Sequence, residues 1–161
     1  MITQFDGKYS WLSNFELCAV TYNGTLYPSV EHAYMSAKST AADWRAFCAD
    51  PGNTPGKVKR RSRKIELRDG WEEMKVGVMR ELLARKFSQR KYRYLLLATG
   101  RQTIREGNTW GDTFWGVDLV TGAGQNQLGK LLMEQREISR KKCWTGELLV
   151  ARLSAWLNGL R

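Results

Sequence analysis

Glu31 and Lys38 stand seven residues apart, close to two full turns of a helix, with Tyr34 and Met35 between them on the same face. One carboxylate, one ammonium and one aromatic ring would thus share a stripe. On a pocket wall, Glu31 would act as a base or stabilise a cation. Lys38 would bind phosphate or, with its pKa depressed by burial, attack as a nucleophile. Asp112 is a second carboxylate of interest. Two carboxylates flanking a glycosidic carbon stabilise an oxocarbenium-like transition state and activate water. The plainer reading of the same residues is a charged surface helix and an aspartate that shapes a turn.

A second constellation is the stretch Arg105 to Arg136. Gly107 to Gly116 packs Trp110, Asp112, Phe114 and Trp115 between glycines, and aromatics there could stack on a ring. Thr121-Gly122-Ala123-Gly124 then turns into a helix start, with Asn126 as N-cap and Leu128, Leu131, Leu132 and Ile138 as the buried stripe. Glycines admit close backbone approach and a helix N-terminus favours anions, so Gly124 to Asn126 is the expected phosphate contact. Gly122 and Gly124 follow no βαβ strand, which argues against a dinucleotide fingerprint.

Composition bounds the options. The chain has 161 residues, 42% hydrophobic and 26% charged, as expected of one globular domain spanning 1–161. Its opening MITQFDGKYSW has no apolar segment of signal-peptide type, and no apolar run reaches membrane-spanning length, so a soluble, cytoplasmic protein is expected. Cys18, Cys48 and Cys143 are widely spaced and never CxxC, which suggests reduced thiols. His32 is the only histidine, which argues against a multi-histidine metal site, and nothing in the sequence requires a metal or cofactor. The net charge of +10 points to anionic partners: nucleic acid, nucleotides or phosphorylated metabolites.

The elements that must position these residues are mostly helical. The pattern predicts a hairpin of Ala19–Tyr22 and Thr25–Tyr27 around Asn23-Gly24. A helix capped by Ser29 runs to about Lys38, and a second, capped by Thr40 with Asp43 at its third position, runs to Cys48. Residues 50–56 read as a loop. Lys57 to Lys64 holds six basic residues in eight, a solvated helix or loop. Asp69, boxed with Glu72, is expected to cap a long helix to about Phe87, with Trp71, Met74 or Val78, Leu82 and Leu83 buried. Ser88–Thr99 is a further helix ended by Gly100. Thr103–Arg105 and Phe114–Val120 are strand candidates, and helices follow at Asn126–Lys141 and Glu147–Leu157. The fold class is therefore α+β, mostly helical with a small sheet.

Several short motifs occur in a telling order: Tyr9-Ser10-Trp11-Leu12-Ser13-Asn14-Phe15; Tyr27 to Tyr34 (YPSVEHAY) with Lys38; Leu67 to Trp71 (LRDGW) with Lys75 and Met79; Lys86-Phe87; Leu95 to Gly100 (LLLATG); Asp112 to Gly116 (DTFWG); and Gly124 to Arg136 (GQNQLGKLLMEQR). Together they resemble the NADAR, or YbiA-like, family over roughly residues 5 to 138. The resemblance implies the family's fold and N-glycosidase activity, a hydrolysis of bonds between ribose derivatives and amino groups. It implies as substrates ribosylamino-pyrimidine intermediates of the riboflavin pathway or ADP-ribose attached to guanine. Its functional positions correspond to Glu31, Trp71, Asp112 and Trp115, with Lys38 on the Glu31 helix, and Asn14, Gly124 and Asn126 in binding motifs. Tyr34 and Trp110 are added as ring contacts by their place beside these residues. The chain departs from the family at Ser62, where glycine is expected, and in a C-terminal helical extension, 139–161.

Overall fold

Cys18, Val20 and Tyr22 alternate with exposed neighbours, so β1 (Leu17–Tyr22) buries one face and leaves the other in water. Asn23 and Gly24 both take positive φ, 47° and 78°, which matches the twist a two-residue hairpin needs and returns the chain into antiparallel β2 (Thr25–Ser29). In this computed structural model the backbone is described for residues 1–158 and side chains as far as Cys143.

Helices supply most of the rest. Ser29 caps α1 (Val30–Ser36), accepting from the His32 N–H, and all seven of that helix's residues are buried. Next come α2 (Ala42–Ala49) and α3 (Pro55–Arg61), the latter begun by Thr54 as cap and Pro55 in the first turn. Then α4 (Trp71–Ser88) and α5 (Arg90–Ala98) follow. Two-residue strands β3 (Gly107–Asn108) and β4 (Val117–Asp118) pair in parallel, and α6 (Gln127–Asn158) closes the described chain. Leu82, Leu83 and Phe87 of α4 form the centre of the core, with Val30 and Ala33 of α1, Leu96 of α5 and Leu128 and Leu132 of α6 around them. Fully burying such a side chain is worth roughly 1.5–3 kcal/mol, so this stripe carries much of the fold. Arg136 of α6 ties the far end together, donating from Nη1 to Thr99 Oγ1 and the Gln102 carbonyl, each at 2.8 Å.

Several expected boundaries are corrected. Thr40 does not cap α2; the helix begins after Ala41, which offers no side-chain acceptor. Asp69 does not cap α4 either, because Gly70 in the left-handed region (φ 69°) makes the entry and delivers Trp71 to the core as the first helical residue. The expected loop gives up Pro55 and Gly56 to α3, which takes the basic run as far as Arg61. Ser88 ends α4 rather than starting α5. Thr103–Arg105 shrinks to one bridge, Ile104 to Ile2, and only Val117–Asp118 of the second strand candidate pairs. Met74 is 37% exposed, so Val78 fills that place in the stripe. The two C-terminal helices are one continuous α6; Gly159 to Arg161 lie outside the described residues.

Candidate active site

One face of α1 opens onto a cavity of about 410 Å³, a size suited to a small ligand. Glu31 and Lys38 line it two turns apart, with Tyr34 and Met35 between. The expected stripe is thus a wall of the cavity. Asn14, Asp112, Trp110 and Trp115 join it from other elements. Of the expected site residues, Glu31, Lys38, Tyr34, Asn14, Asp112, Trp110 and Trp115 come together, whereas Trp71, Gly124 and Asn126 do not.

Glu31 is only 4% exposed, and its Oε1 has no hydrogen-bond partner. Burial drives its carboxyl up to about 7, while Lys59 and Lys38 pull it down and Asp112 pushes it up. A carboxyl in that range exchanges protons at neutral pH, as an acid or base must. Burial lowers the Lys38 amine, an effect Glu31 opposes. Its Nζ sits 5.7 Å from the centre of the Tyr34 ring.

Asp112 is held differently. Its Oδ1 accepts from the backbone N–H of Trp115 at 2.9 Å and of Phe114 at 3.2 Å. Buried Asn108 clasps its backbone, donating from Nδ2 to the Asp112 carbonyl and accepting from its N–H. A carboxylate fixed by two donors suits a stationary negative charge better than a proton carrier. The adjoining Trp115 meets Tyr34 edge-on, centroids 5.6 Å apart.

His32, beside Glu31, is committed to structure. The ring accepts or donates at Nδ1 with Ser29 Oγ (2.7 Å) and at Nε2 with the Asn53 carbonyl (2.7 Å). A carbonyl only accepts, so Nε2 carries the proton and Nδ1 receives the Ser29 hydroxyl. This bridge fastens α1 to the loop before α3. The Glu31 N–H donates to the Asn14 carbonyl at 3.0 Å, fastening α1 to the Ser13–Phe15 loop as well.

Three expectations about position are corrected. Trp71 stands behind the wall, 5.2 Å from the Tyr34 ring, 5% exposed and off the cavity. Gly124 is glycine because a Cβ there would meet the Gly116 carbonyl oxygen at 2.3 Å. The amides at the start of α6 are already spent: Gln125, Asn126, Gln127 and Leu128 donate to the carbonyls of Thr113, Gly116, Phe114 and Trp115. No free N–H array is left there for a phosphate. Asn126 lays its side chain over Gly129 and spends it on the neighbouring strand segment, accepting from the Glu106 N–H and donating to the Ile104 carbonyl.

Sequence reasoning also passed over three wall or support residues. Glu106 lines the cavity with a buried, unpartnered Oε2. Lys59 of the basic run lines it too, its Nζ 5.5 Å from the Phe15 ring and 6.0 Å from Trp110. Lys86 is fully buried and donates to the Ser13 carbonyl at 2.8 Å, pinning the loop that carries Asn14. Burial lowers its amine to about 8. Lys86 had a signal, since it continues the apolar spacing of Leu82 and Leu83.

The NADAR domain family model matches residues 3–140. The chain belongs to the NADAR family. It is 36% identical over 131 residues to a protein of Escherichia coli (strain K12) named N-glycosidase YbiA, covering 80% of this chain and 81% of that one. A protein of Vibrio vulnificus (strain YJ016) named for riboflavin biosynthesis is 33% identical over 135 residues; the match covers 82% of this chain and 36% of that longer protein. The solution structure of E. coli YbiA superposes with a TM-score of 0.73 at 30% identity, covering 95% of this chain and 89% of that one. The fold class is therefore that of YbiA: helical, with a small sheet. Among the described residues no helix is long and apolar enough to cross a membrane.

Proposed function

We propose that this chain hydrolyses the N-glycosidic bond of a ribosyl or ADP-ribosyl adduct, and that its substrate is ADP-ribose carried on a guanine base of nucleic acid. Membership of a family whose relatives are named N-glycosidases makes it an enzyme acting on N-glycosyl compounds. The observation that carries the mechanism is Glu31: a buried carboxyl without a partner, in the same cavity as Asp112 and Lys38. Breaking an N-glycosidic bond leaves positive charge on the sugar and needs protons moved. Asp112, fixed by two amides, stabilises the cation. Glu31 moves the proton of the attacking group. The Lys38 amine, lowered by burial, forms a Schiff base with C1 of the opened sugar, and water then releases it. Trp115 and Tyr34 wall in the base and ribose, and Trp110, 67% exposed, lines the same cavity.

The nucleic-acid substrate is favoured by charge. Lys59 reaches the cavity, and Arg60, Arg63 and Lys64 stand exposed on the same short segment, where a strand's phosphates would pass. The name of the Vibrio relative supports a second reading, a small ribosylamino-pyrimidine on the same chemistry. A binding module without turnover is disfavoured, because a binder of an anionic ligand gains nothing from the two acids Glu31 and Asp112 in its cavity. Presenting the purified protein with guanine-ADP-ribosylated DNA and with the ribosylamino-pyrimidine separates the readings. A higher kcat/KM on the DNA is expected; a higher value on the pyrimidine would make it a metabolite hydrolase.

A further inference from the structure

Glu106 is a third carboxylate in the cavity, and the chain takes trouble to place it. Its N–H donates to Asn126 Oδ1 at 3.0 Å, and its carbonyl accepts from the Val117 N–H at 2.8 Å. Its Oε2 lies over Gly116, where a Cβ would come within 3.3 Å of that oxygen and 2.4 Å of the Glu106 carbonyl. Gly116 is therefore glycine so that this residue can lie across it. Gly124 packs against the Gly116 carbonyl, and Asn126 bonds both Ile104 and Glu106. The glycine-rich turn before α6 thus serves to seat Glu106.

Oε2 ends buried in the cavity wall without a hydrogen-bond partner, as Glu31 Oε1 does. Buried oxygens left unpaired are costly and call for an explanation. A substrate's nitrogen supplies one. We infer that Glu106 is a catalytic residue, the acid that protonates the departing nitrogen of the N-glycoside. This rests on the N-glycosidase reading above and fills a role that reading leaves open.

Burial raises both carboxyls to about 7, and the charges around the two differ. Glu31 on α1 faces Lys59 and Lys38 against Asp112, two cations and one anion. Glu106 faces Asp112 and Glu31 against Lys59 alone. These flanking charges favour the proton on Glu106, the acid, and leave Glu31 as the base. The Lys38 amine gives one proton to the Glu31 carboxylate and forms a bond to C1. The C1–N bond breaks, its electron pair goes to the departing nitrogen, and that nitrogen takes the Glu106 proton. Solvent then returns a proton from Glu31 to Glu106.

The test is a pH–rate profile on guanine-ADP-ribosylated oligonucleotide for wild type, Glu106→Gln and Glu106→Ala, with thermal melts of each. Wild-type kcat/KM should fall on the basic side as Glu106 loses its proton. Glu106→Gln should lose 10²-fold or more and lose that basic limb. Formate should restore part of the Glu106→Ala rate by supplying a small acid in the vacated space. Glu106→Gln within a few-fold of wild type overturns the inference, as does a slow variant that keeps the basic limb and gains nothing from formate. The wild-type profile stands alone if the variants do not fold: no basic decline also overturns it. A wild type that releases nothing refutes the N-glycosidase reading itself, a different outcome.

Discussion

Trp71 packs its indole on Tyr34 without lining the cavity, ring centroids 5.2 Å apart and planes tilted by 55°. Tyr34 in turn meets Trp115 edge-on, so three rings transmit the position of α4's first turn to the cavity wall. Trp71 thus works through Tyr34. Trp71→Ala should lower stability by about 3–5 kcal/mol, as for other buried large aromatics. Trp71→Phe keeps a ring behind Tyr34 and should hold substrate affinity within a few-fold, measured where the variant is fully folded. A stable Trp71→Phe with tenfold weaker binding would instead put the indole against the substrate.

Stability and chemistry should oppose each other in this cavity. Glu31 and Glu106 both have carboxyls pushed by burial from 4.5 up to about 7 in the folded protein. Between those values the folded chain holds protons that the unfolded chain has released, so folding loses stability as pH rises through that window. Glu31→Gln should match wild type near pH 4 and exceed it at pH 8 by on the order of 1–3 kcal/mol, a gain of several degrees in Tm. Thermal melts at the two pH values check this. A variant less stable than wild type at pH 8 would show that the buried carboxylate is better satisfied than its unpartnered oxygen implies.

Lys38 should carry the sugar during turnover. Borohydride added to the reacting mixture is expected to trap an adduct whose mass includes the sugar, on the peptide containing Lys38. Lys38→Arg keeps the charge but not the nucleophile, and should be nearly inactive. An active Lys38→Arg without any trapped adduct would make the lysine an electrostatic contact and leave water as the sole nucleophile.

The basic segment divides by geometry. Lys59 turns into the cavity and Arg61 lies over the Phe47 ring, 4.2 Å from its centre, whereas Arg60, Arg63 and Lys64 are exposed. Replacing those three with Ser should raise KM for a modified polynucleotide and flatten its salt dependence, by up to about three units of log–log slope. Cleavage of a modified mononucleoside should be unchanged. Equal losses on both substrates would mean that these side chains reach the ligand's own phosphates.

The parts of the site legible in the sequence are those fixed by local spacing. Helical periodicity puts Glu31, Tyr34 and Lys38 on one stripe, and the resemblance to the family singles out Glu31, Asp112 and Trp115 as functional. What depends on tertiary approach was hidden. Glu106 sits in an ordinary polar stretch, and its importance appears only when Gly116, Gly124 and Asn126 close around it. Glycine announces close approach without saying to what: at Gly124 the neighbour is the Gly116 carbonyl. Ser29 caps α1 as expected, but the cap expected at Asp69 fails for a related reason. Gly70 enters α4 through a left-handed turn because that geometry brings Trp71 inward, and this outweighs the local preference for Asp69.

The most direct measurement of the central claim is release of sugar from a defined adduct. An oligonucleotide bearing one ADP-ribosylated guanine is incubated with wild type and with Glu31→Gln, and products are read by mass. Wild type should yield free ADP-ribose and the unmodified oligonucleotide, and Glu31→Gln, folded as judged by circular dichroism, should be slower by 10²-fold or more. An intact adduct with wild type, together with an intact ribosylamino-pyrimidine, would contradict the account. So would Glu31→Gln turning over within a few-fold of wild type.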